Sequence, residues 1–486
     1  MFTLGTETML AHLVVTAALT LRILYRRLEV NTALAWIVLL VTLPLAGPAL
    51  YIFFGDHSLG ARRLKLGQRI RTLYQKAYAV EGTDGASLAH LPEPFAGLSR
   101  AITRESGFPL LARNDYVIFT DAGEILGAMG RDIDAARTSC NLEFYIIEPS
   151  GRVEAVLEAV LRAAARGVKC QILADDFGSK AFFRSPWPER LRAHGVSVVR
   201  SLPVGRLKSF SKRSDLRNHR KLLICDRAVA YTGSYNLVDP RLFKQASKVG
   251  AWIDLMMRIE GEMVDALTCV FNADFLFDQK GSDIDRAVLR PLPIDIRMGP
   301  RDGAVARMQL LPSGPEMPRS TIYEVIVTAI FNARRRVRIV TPYLIPDQAI
   351  MLALTSAAKR GVEVQLIVPL TLDTQLSQYA SQAAYGELLA SGVDIRRFGD
   401  GLLHSKVVLI DEDITVFGTV NMDLRSFYLN LELSLVIYEA EINAALGIIL
   451  DDYVAQSGRL EAKTWAERPA SQRFLENLLR LAGPVL

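Results

Sequence analysis

The sequence predicts an α/β protein in which two similar domains, each a mixed sheet flanked by helices, follow an N-terminal hairpin of two apolar helices. Three observations carry this expectation. The pattern H-x-K-x4-D-x6-G-[ST]-x-N occurs twice, from His219 to Asn236 and from His404 to Asn421. A longer stretch repeats upstream of each copy: Arg162-Ala-Ala-Ala-Arg166-Gly167-Val-Lys-Cys-Gln171 matches Ser356-Ala-Ala-Lys-Arg360-Gly361-Val-Glu-Val-Gln365. The run Ala33 to Phe54 contains no charged residue.

In chain order, Met9 to Leu21 is a first apolar segment, interrupted by His12 and ended by Arg22. Ala33 to Phe54 is long enough to cross a bilayer, and Trp36, Tyr51 and Phe54 bracket it like interfacial anchors. Pro44 and Pro48 equally allow a kinked or re-entrant path. No Lys or Arg precedes the first apolar run, which argues against a cleaved signal peptide. The cations Arg62, Arg63, Lys65, Arg69, Arg71 and Lys76 put the following body on the cytoplasmic side. Arg22, Arg26 and Arg27 pull the other way, a conflict that a hairpin dipping into the membrane without crossing it removes.

The anchor is expected over 1–60, a first domain over 61–285, a linker over 286–305 and a second domain over 306–486. Pro291, Pro293, Gly299 and Pro300 mark the linker. Within each domain a strand (Leu142 to Ile147, or Val337 to Thr341) leads into an amphipathic helix that Arg-Gly ends. The interval from this glycine to the motif histidine is nine residues longer in the first domain, and the added length includes a basic stretch from Arg206 to Lys221 around Phe210. That stretch reads as a solvated loop or as a surface that collects anionic headgroups.

The motifs read as buried strands, Lys221 to Cys225 and Lys406 to Ile410, ended by turns. Positions i and i+2 of a strand share a face, so His219 projects with Lys221 and His404 with Lys406. Asp226 and Asp411 lie an odd number of residues further on, which makes them turn-fixing acceptors. Returning strands bring Ser234 and Asn236, or Thr419 and Asn421, back beside each His-Lys pair. One imidazole, one ammonium, one hydroxyl and one carboxamide per half suit phosphoryl chemistry. Histidine can attack phosphorus or protonate a leaving alkoxide, and Lys and Asn can hold the equatorial oxygens.

The paired motifs resemble the two HKD motifs of the phospholipase D superfamily, and several segments are similar to bacterial cardiolipin synthases. These are Asn218-His219-Arg-Lys221, Ser313-Gly314-Pro315, Thr341-Pro342-Tyr343, Asn421-Met-Asp423-Leu-Arg425-Ser426-Phe427 and Trp465-Ala-Glu-Arg468-Pro469. The run from Leu34-Ala-Trp36 to Tyr51-Ile-Phe-Phe-Gly55 resembles their membrane-anchoring region. Thr419 stands where Ser is usual, and Gly233-Ser234 where Gly-Gly is common.

The resemblance implies two phospholipase D-type domains and a catalytic set of His219, Lys221, Asp226, His404, Lys406 and Asp411. It further implies an acid downstream of each motif that orients the imidazole. Glu432 fills that place in the second half. Asp254 is the match in the first, although Met256-Met257 replaces the usual Thr-His. The implied reaction joins two phosphatidylglycerols into cardiolipin and glycerol through a phosphatidyl-histidine, with His219 as nucleophile and His404 as acid and base, or the reverse. No metal or other cofactor is implied, since two lysines supply the positive charge. The implied partners are phosphatidylglycerol and anionic lipid at the inner membrane, with no nucleic acid. Both half-sites lie in one chain, which leaves oligomeric state open. A hydrolase, a transferase using another alcohol, and a nuclease with the same motifs are the alternatives. The apolar N-terminus weighs against the last.

Composition agrees. Half of the 486 residues are apolar and the net charge is a modest +5. Cys140, Cys170, Cys225 and Cys269 are scattered without metal spacing, and three of them sit in apolar strand or helix contexts and read as core residues of a protein in a reducing compartment.

Overall fold

The computed structural model describes residues 6–26, 30–55, 68, 72, 91, 93, 95–203, 216–245, 249–279, 306–315, 317 and 321–480. The 286–305 linker and the basic stretch up to Asp215 lie outside the described residues, as do the cations from Arg62 to Lys76. The chain divides into two compact units, residues 1–64 with 204–215, and the remainder.

The first unit contains the helices Thr6–Tyr25 and Val30–Thr42, then the short helix Ala46–Leu50 and a π-helical turn Tyr51–Gly55. Ile23, Leu40 and Tyr51 form its small buried cluster, and Trp36 meets Tyr51 edge-on at 5.3 Å. The second apolar run therefore does not form one straight span. Pro44 lacks an N–H, Leu45 sits at φ 66°, and the chain turns there before the Ala46–Leu50 helix begins. Gly47 is required at this turn, because a Cβ would lie 2.3 Å from the Leu39 carbonyl oxygen. No described helix is long and apolar enough to cross a membrane.

The second unit holds two mixed sheets. The first has the strand order Asn114–Phe119, Met256–Gly261, Val229–Gly233, Lys221–Cys225, Ser139–Phe144, Lys169–Asp175, Ser197–Ser201. The second runs Leu110–Leu111, Met308–Ser313, Glu432–Ile437, Ile414–Gly418, Val407–Ile410, Arg336–Val340, Glu363–Pro369, Asp394–Phe398, Ser457–Arg459. In both, the upstream strands pair in parallel and the motif hairpin joins antiparallel. The sheets share one core. Leu222 and Ile224 of the first and Val407 and Leu409 of the second belong to the same buried cluster, with Leu267 and Phe271 of the inner helix Glu262–Asp278. Outer helices cover the far faces. The chain also crosses between halves early: the helix Phe95–Ser106 packs in the second half's outer layer, and Leu110–Leu111 joins the second half's sheet.

The repeated Arg-Gly ends its helix in the same way twice. Gly167 and Gly361 both take φ 88°, and the next residue's N–H reaches back to Ala163 or Ala357, a Schellman closure. The preceding arginines do more than the sequence suggested. Arg166 donates to the carbonyls of Ile133 and Ala136, and Arg360 to those of Phe331 and Ala333, so each caps the helix before its own.

Candidate active site

Lys221 pairs with Phe144 at the carboxyl end of the parallel strands, so His219 and Lys221 sit at the sheet edge where ligands of α/β proteins collect. The second half repeats this with Val407 opposite Val340. Each lysine folds back on its own motif: Lys221 Nζ donates to the His219 carbonyl at 2.6 Å, and Lys406 to that of His404. Both histidines and both lysines are buried.

The orienting acids are crossed between halves. His219 Nδ1 lies 2.8 Å from Glu432, and His404 Nδ1 lies 2.7 Å from Asp254. The backbone dictates this. Asn218 bridges Leu431 in parallel, with the His219 N–H donating to the Leu431 carbonyl, so the next pair brought together is His219 and Glu432. Leu402–Leu403 pairs in parallel with Trp252–Ile253, with the His404 N–H donating to the Ile253 carbonyl, which brings His404 to Asp254. An acid that serves the histidine of its own half, as the downstream position suggests, is not what the structure contains. In both pairs Nδ1 faces the acid, which leaves Nε2 for other partners.

Two such pairs and two lysines in one buried cluster match a family that the sequence comparisons define independently. The model for "Cardiolipin synthase, PLD-like domain" matches residues 129–271 and 326–451, and that for "Phospholipase_D-nuclease N-terminal" matches 14–55. The chain belongs to the cardiolipin synthase family. It is 39% identical over 483 residues to the cardiolipin synthase A of Erwinia tasmaniensis, covering 97% of this chain and 96% of that protein. The cardiolipin synthase A of Citrobacter koseri is 38% identical over 483 residues, with 98% and 97% covered. The phosphatidylserine synthase structure from Haemophilus influenzae superposes with a TM-score of 0.60 at 14% identity, covering 80% of this chain and 100% of that one, and shows the fold.

The hydroxyls hold the acids' surroundings in place. Thr419 donates to Glu432 at 2.5 Å and accepts from the Leu433 N–H at 2.9 Å. Ser234 accepts from the Leu255 N–H, next to Asp254, at 2.9 Å. The substitution of Thr for Ser therefore keeps the same bond. Asn236 accepts from the Ile146 N–H through Oδ1, while its Nδ2, like Asn421 Oδ1, is buried without a protein partner. Each half thus offers one unsatisfied carboxamide atom, a costly arrangement unless a ligand completes it.

Asp226 and Asp411, grouped with the catalytic residues by resemblance, stand apart from this cluster. They occupy the opposite ends of the motif strands at φ 54° and 51°. Asp226 accepts the N–H groups of Arg137, Thr138 and Ser139, and Asp411 those of Arg334, Arg335 and Arg336. Strand parity, which made them turn-fixing acceptors, describes them correctly.

Burial dominates the electrostatics. It pushes the His219 imidazole down to about 4 and His404 to about 3, opposed by their carboxylates and reinforced by both lysines acting on each ring. Burial also lowers Lys221 to about 8 and Lys406 to about 7. Against burial, the facing imidazoles and lysines hold Glu432 and Asp254 below the usual carboxylate range. These directions favour, in each pair, a neutral ring that donates Nδ1–H to an ionised acid.

Sequence reasoning missed the aromatic walls and the first motif's support. Tyr145 lies 5.0 Å from the His219 ring, and Trp252 lies 4.3 Å from His404. Arg220, between His219 and Lys221, points the other way and pairs with Asp274 while donating to the carbonyls of Glu432 and Ser313. Asn218 donates to Glu143 at 2.7 Å. A signal existed: Glu143 and Asp274 are acids inside apolar strand and helix patterns, where an unpaired charge is not tolerated.

Proposed function

We propose that this protein is a phosphatidyltransferase that converts two phosphatidylglycerols into cardiolipin and glycerol. The observation that carries the reading is the pair of crossed His-carboxylate contacts in one cluster, each with Nε2 available. In the first step His219 Nε2 attacks phosphorus, the bond to the glycerol oxygen breaks, and His404 gives that oxygen its proton. In the second, His404 Nε2 takes the proton from the hydroxyl of another phosphatidylglycerol, whose oxygen attacks phosphorus and expels His219. The bound phosphodiester's negative charge offsets the two lysines, which lets an imidazolium form that the unliganded site resists. Lys221, Lys406 and Asn236, through Nδ2, hold the phosphoryl oxygens, and Asn421 Oδ1 accepts from the glycerol hydroxyl.

The N-terminal unit serves as membrane anchor in this reading. Leu10, Leu13, Val14, Leu21, Leu24, Leu34, Val38 and Val41 are exposed on its two longer helices, which suits a pair embedded in the inner membrane with the catalytic body on the cytoplasmic side.

The deciding experiment incubates the purified full-length protein with labelled phosphatidylglycerol in vesicles and separates the products. Cardiolipin with equimolar glycerol is expected. Phosphatidic acid alone would establish a hydrolase, and product only on addition of serine or ethanolamine would establish another acceptor.

A further inference from the structure

Four large apolar side chains stand exposed around the candidate active site, three on turns and one at the end of a short helix, and they come from corresponding regions of the two halves. Phe177 lies just beyond Asp176 after the parallel strand Lys169–Asp175, and Leu370 directly follows Glu363–Pro369. Leu242 and Tyr428 follow the motif tails, a few residues beyond Asn236 and Asn421. Their exposures are 57%, 43%, 53% and 42%. Single exposed apolar residues need no explanation. Four that follow corresponding strands and motif tails of the two halves, on the sheet edge that carries the histidines, do.

Contacts tie these loops to the site and to one another. The Arg217 guanidinium lies 4.5 Å over the Phe177 ring, two residues before His219. The next residue, Gly178, approaches Tyr145 so closely that a Cβ would lie 2.4 Å from the Tyr145 carbonyl oxygen, and Tyr145 is the wall of His219. On the other side Phe243, beside Leu242, meets Trp252 at 5.0 Å, and Trp252 is the wall of His404. The Leu242 loop joins the Leu370 loop across the halves through Lys244 and Asp373 at 3.0 Å, and Asp373 also accepts from Tyr343. The short helix Leu424–Tyr428 begins beside the Asn421 tail, and three residues beyond its end Leu431 bridges Asn218.

Charge favours one occupant. Arg241 and Lys244 are 59% and 43% exposed, whereas their partner carboxylates, Asp239 and Asp373, are 1% and 8% exposed. Around Leu242 and Leu370 the rim therefore presents apolar tips and cationic groups outward and keeps the paired acids inside. That combination suits a bilayer carrying anionic headgroups.

We propose that this rim, Phe177, Leu242, Leu370 and Tyr428, docks the catalytic body mouth-down on an anionic lipid surface, with the four side chains inserted among the acyl chains. The inference rests on the reading that the substrate is a membrane lipid, and it adds the surface through which the cleft takes that lipid. A neutral pair of walls, Tyr145 and Trp252, then lies between the bilayer and the two histidines. A headgroup enters without its acyl chains leaving the lipid.

The test places a polarity-sensitive bimane label on the full-length protein at single cysteines replacing Phe177, Leu242, Leu370 or Tyr428. The four native cysteines are buried and do not compete. Leu352→Cys and Phe474→Cys, exposed positions on helices elsewhere, are the controls. With vesicles of phosphatidylglycerol and phosphatidylcholine carrying brominated chains, the rim labels should shift to shorter wavelength and be quenched. The Leu352 and Phe474 labels should not, and pure phosphatidylcholine should weaken the rim response. Phe177→Asp and Leu242→Asp should each raise the lipid concentration needed for half-maximal rate on vesicles roughly tenfold, with short-chain monomeric phosphatidylglycerol turned over as before. Rim labels that stay in water while cardiolipin is made would overturn the docking surface and leave the function standing. Equal quenching at Leu352 or Phe474 would overturn it as well. Quenched rim labels on a protein that makes no cardiolipin would sustain the surface and remove the reaction.

Discussion

Glu432→Gln and Asp254→Asn test whether the crossed contacts operate in catalysis. Glu432 Oε2 accepts from both His219 and Thr419, and Oε1 from Asn430. The new amide can turn its NH2 toward Asn430, whose own Oδ1 has no protein partner, and keep its oxygen on His219. Asp254 is simpler, since Oδ1 accepts from His404 and Oδ2 has no protein partner to offend. Each change then removes a charge and little geometry. A carboxylate and an imidazolium about 4 Å apart at an effective dielectric of 20 interact by about 4 kcal/mol, so each variant should lose roughly a thousandfold in kcat. The assay uses phosphatidylglycerol beside a phosphatidyl ester of p-nitrophenol, whose leaving group needs no proton. With His219 as nucleophile, Asp254→Asn should follow His404→Ala and recover p-nitrophenol release, while Glu432→Gln should follow His219→Ala and recover nothing. Should the roles of the two histidines be exchanged, the recoveries exchange but the pairings stay. The reasoning fails if Glu432→Gln follows His404→Ala, because the acid would then serve its own half.

The alkaline limb of kcat/KM, measured on short-chain substrate in zwitterionic micelles, should fall as pH rises through about 7 to 8, where Lys406 and Lys221 lose their protons; a profile flat to about pH 9 would refute charged lysines in the free enzyme. Asp226→Ala and Asp411→Ala should each cost about 2–4 kcal/mol of stability in denaturant unfolding, since three backbone donors lose their acceptor. Turnover of the folded fraction should stay near that of the parent, and a large kcat loss at unchanged stability would return the aspartates to the chemistry. EDTA should leave activity on neutral micelles intact, because two lysines already occupy the place of a cation; complete loss restored by one specific metal would show the opposite.

The local half of the architecture was legible in the sequence because it depends on periods of two and on short-range turn chemistry. Parity put His219 with Lys221 and turned Asp226 away; Arg-Gly marked both helix ends. The tertiary half was not legible. Which histidine Glu432 serves is decided by a parallel pairing of 218 with 431, residues remote in sequence, and spacing cannot show it. The Met256-Met257 departure looked like doubt about Asp254. In the structure both methionines are buried in apolar clusters on either face of their strand, so the difference falls in the core and leaves the acid in place. The apolar N-terminal run shows the converse: its length suggested a span, and the turn at Pro44 and Leu45 divides it.

The crossed contacts make the two halves interdependent in a way that duplication alone does not require. A half with its own acid would be a complete half-site, and two copies would need only to approach. Here each histidine meets the acid of the other half, so both contacts exist only when 218 and 431, and 403 and 253, are paired. The supports differ where the chemistry must. Arg220 fixes the first motif by reaching the Glu432 and Ser313 carbonyls and pairing with Asp274. At the equivalent place Ser405 donates to the Ile253 carbonyl alone and contacts the Tyr453 hydroxyl. A guanidinium braced between two elements of the second half and a buried acid holds its histidine more firmly than one hydroxyl does. A nucleophile must meet phosphorus in line at fixed distance, whereas a proton shuttle must serve two different oxygens in turn. The stiffer site therefore suits attack and the looser one proton transfer, which is the physical reason for placing the nucleophile at His219.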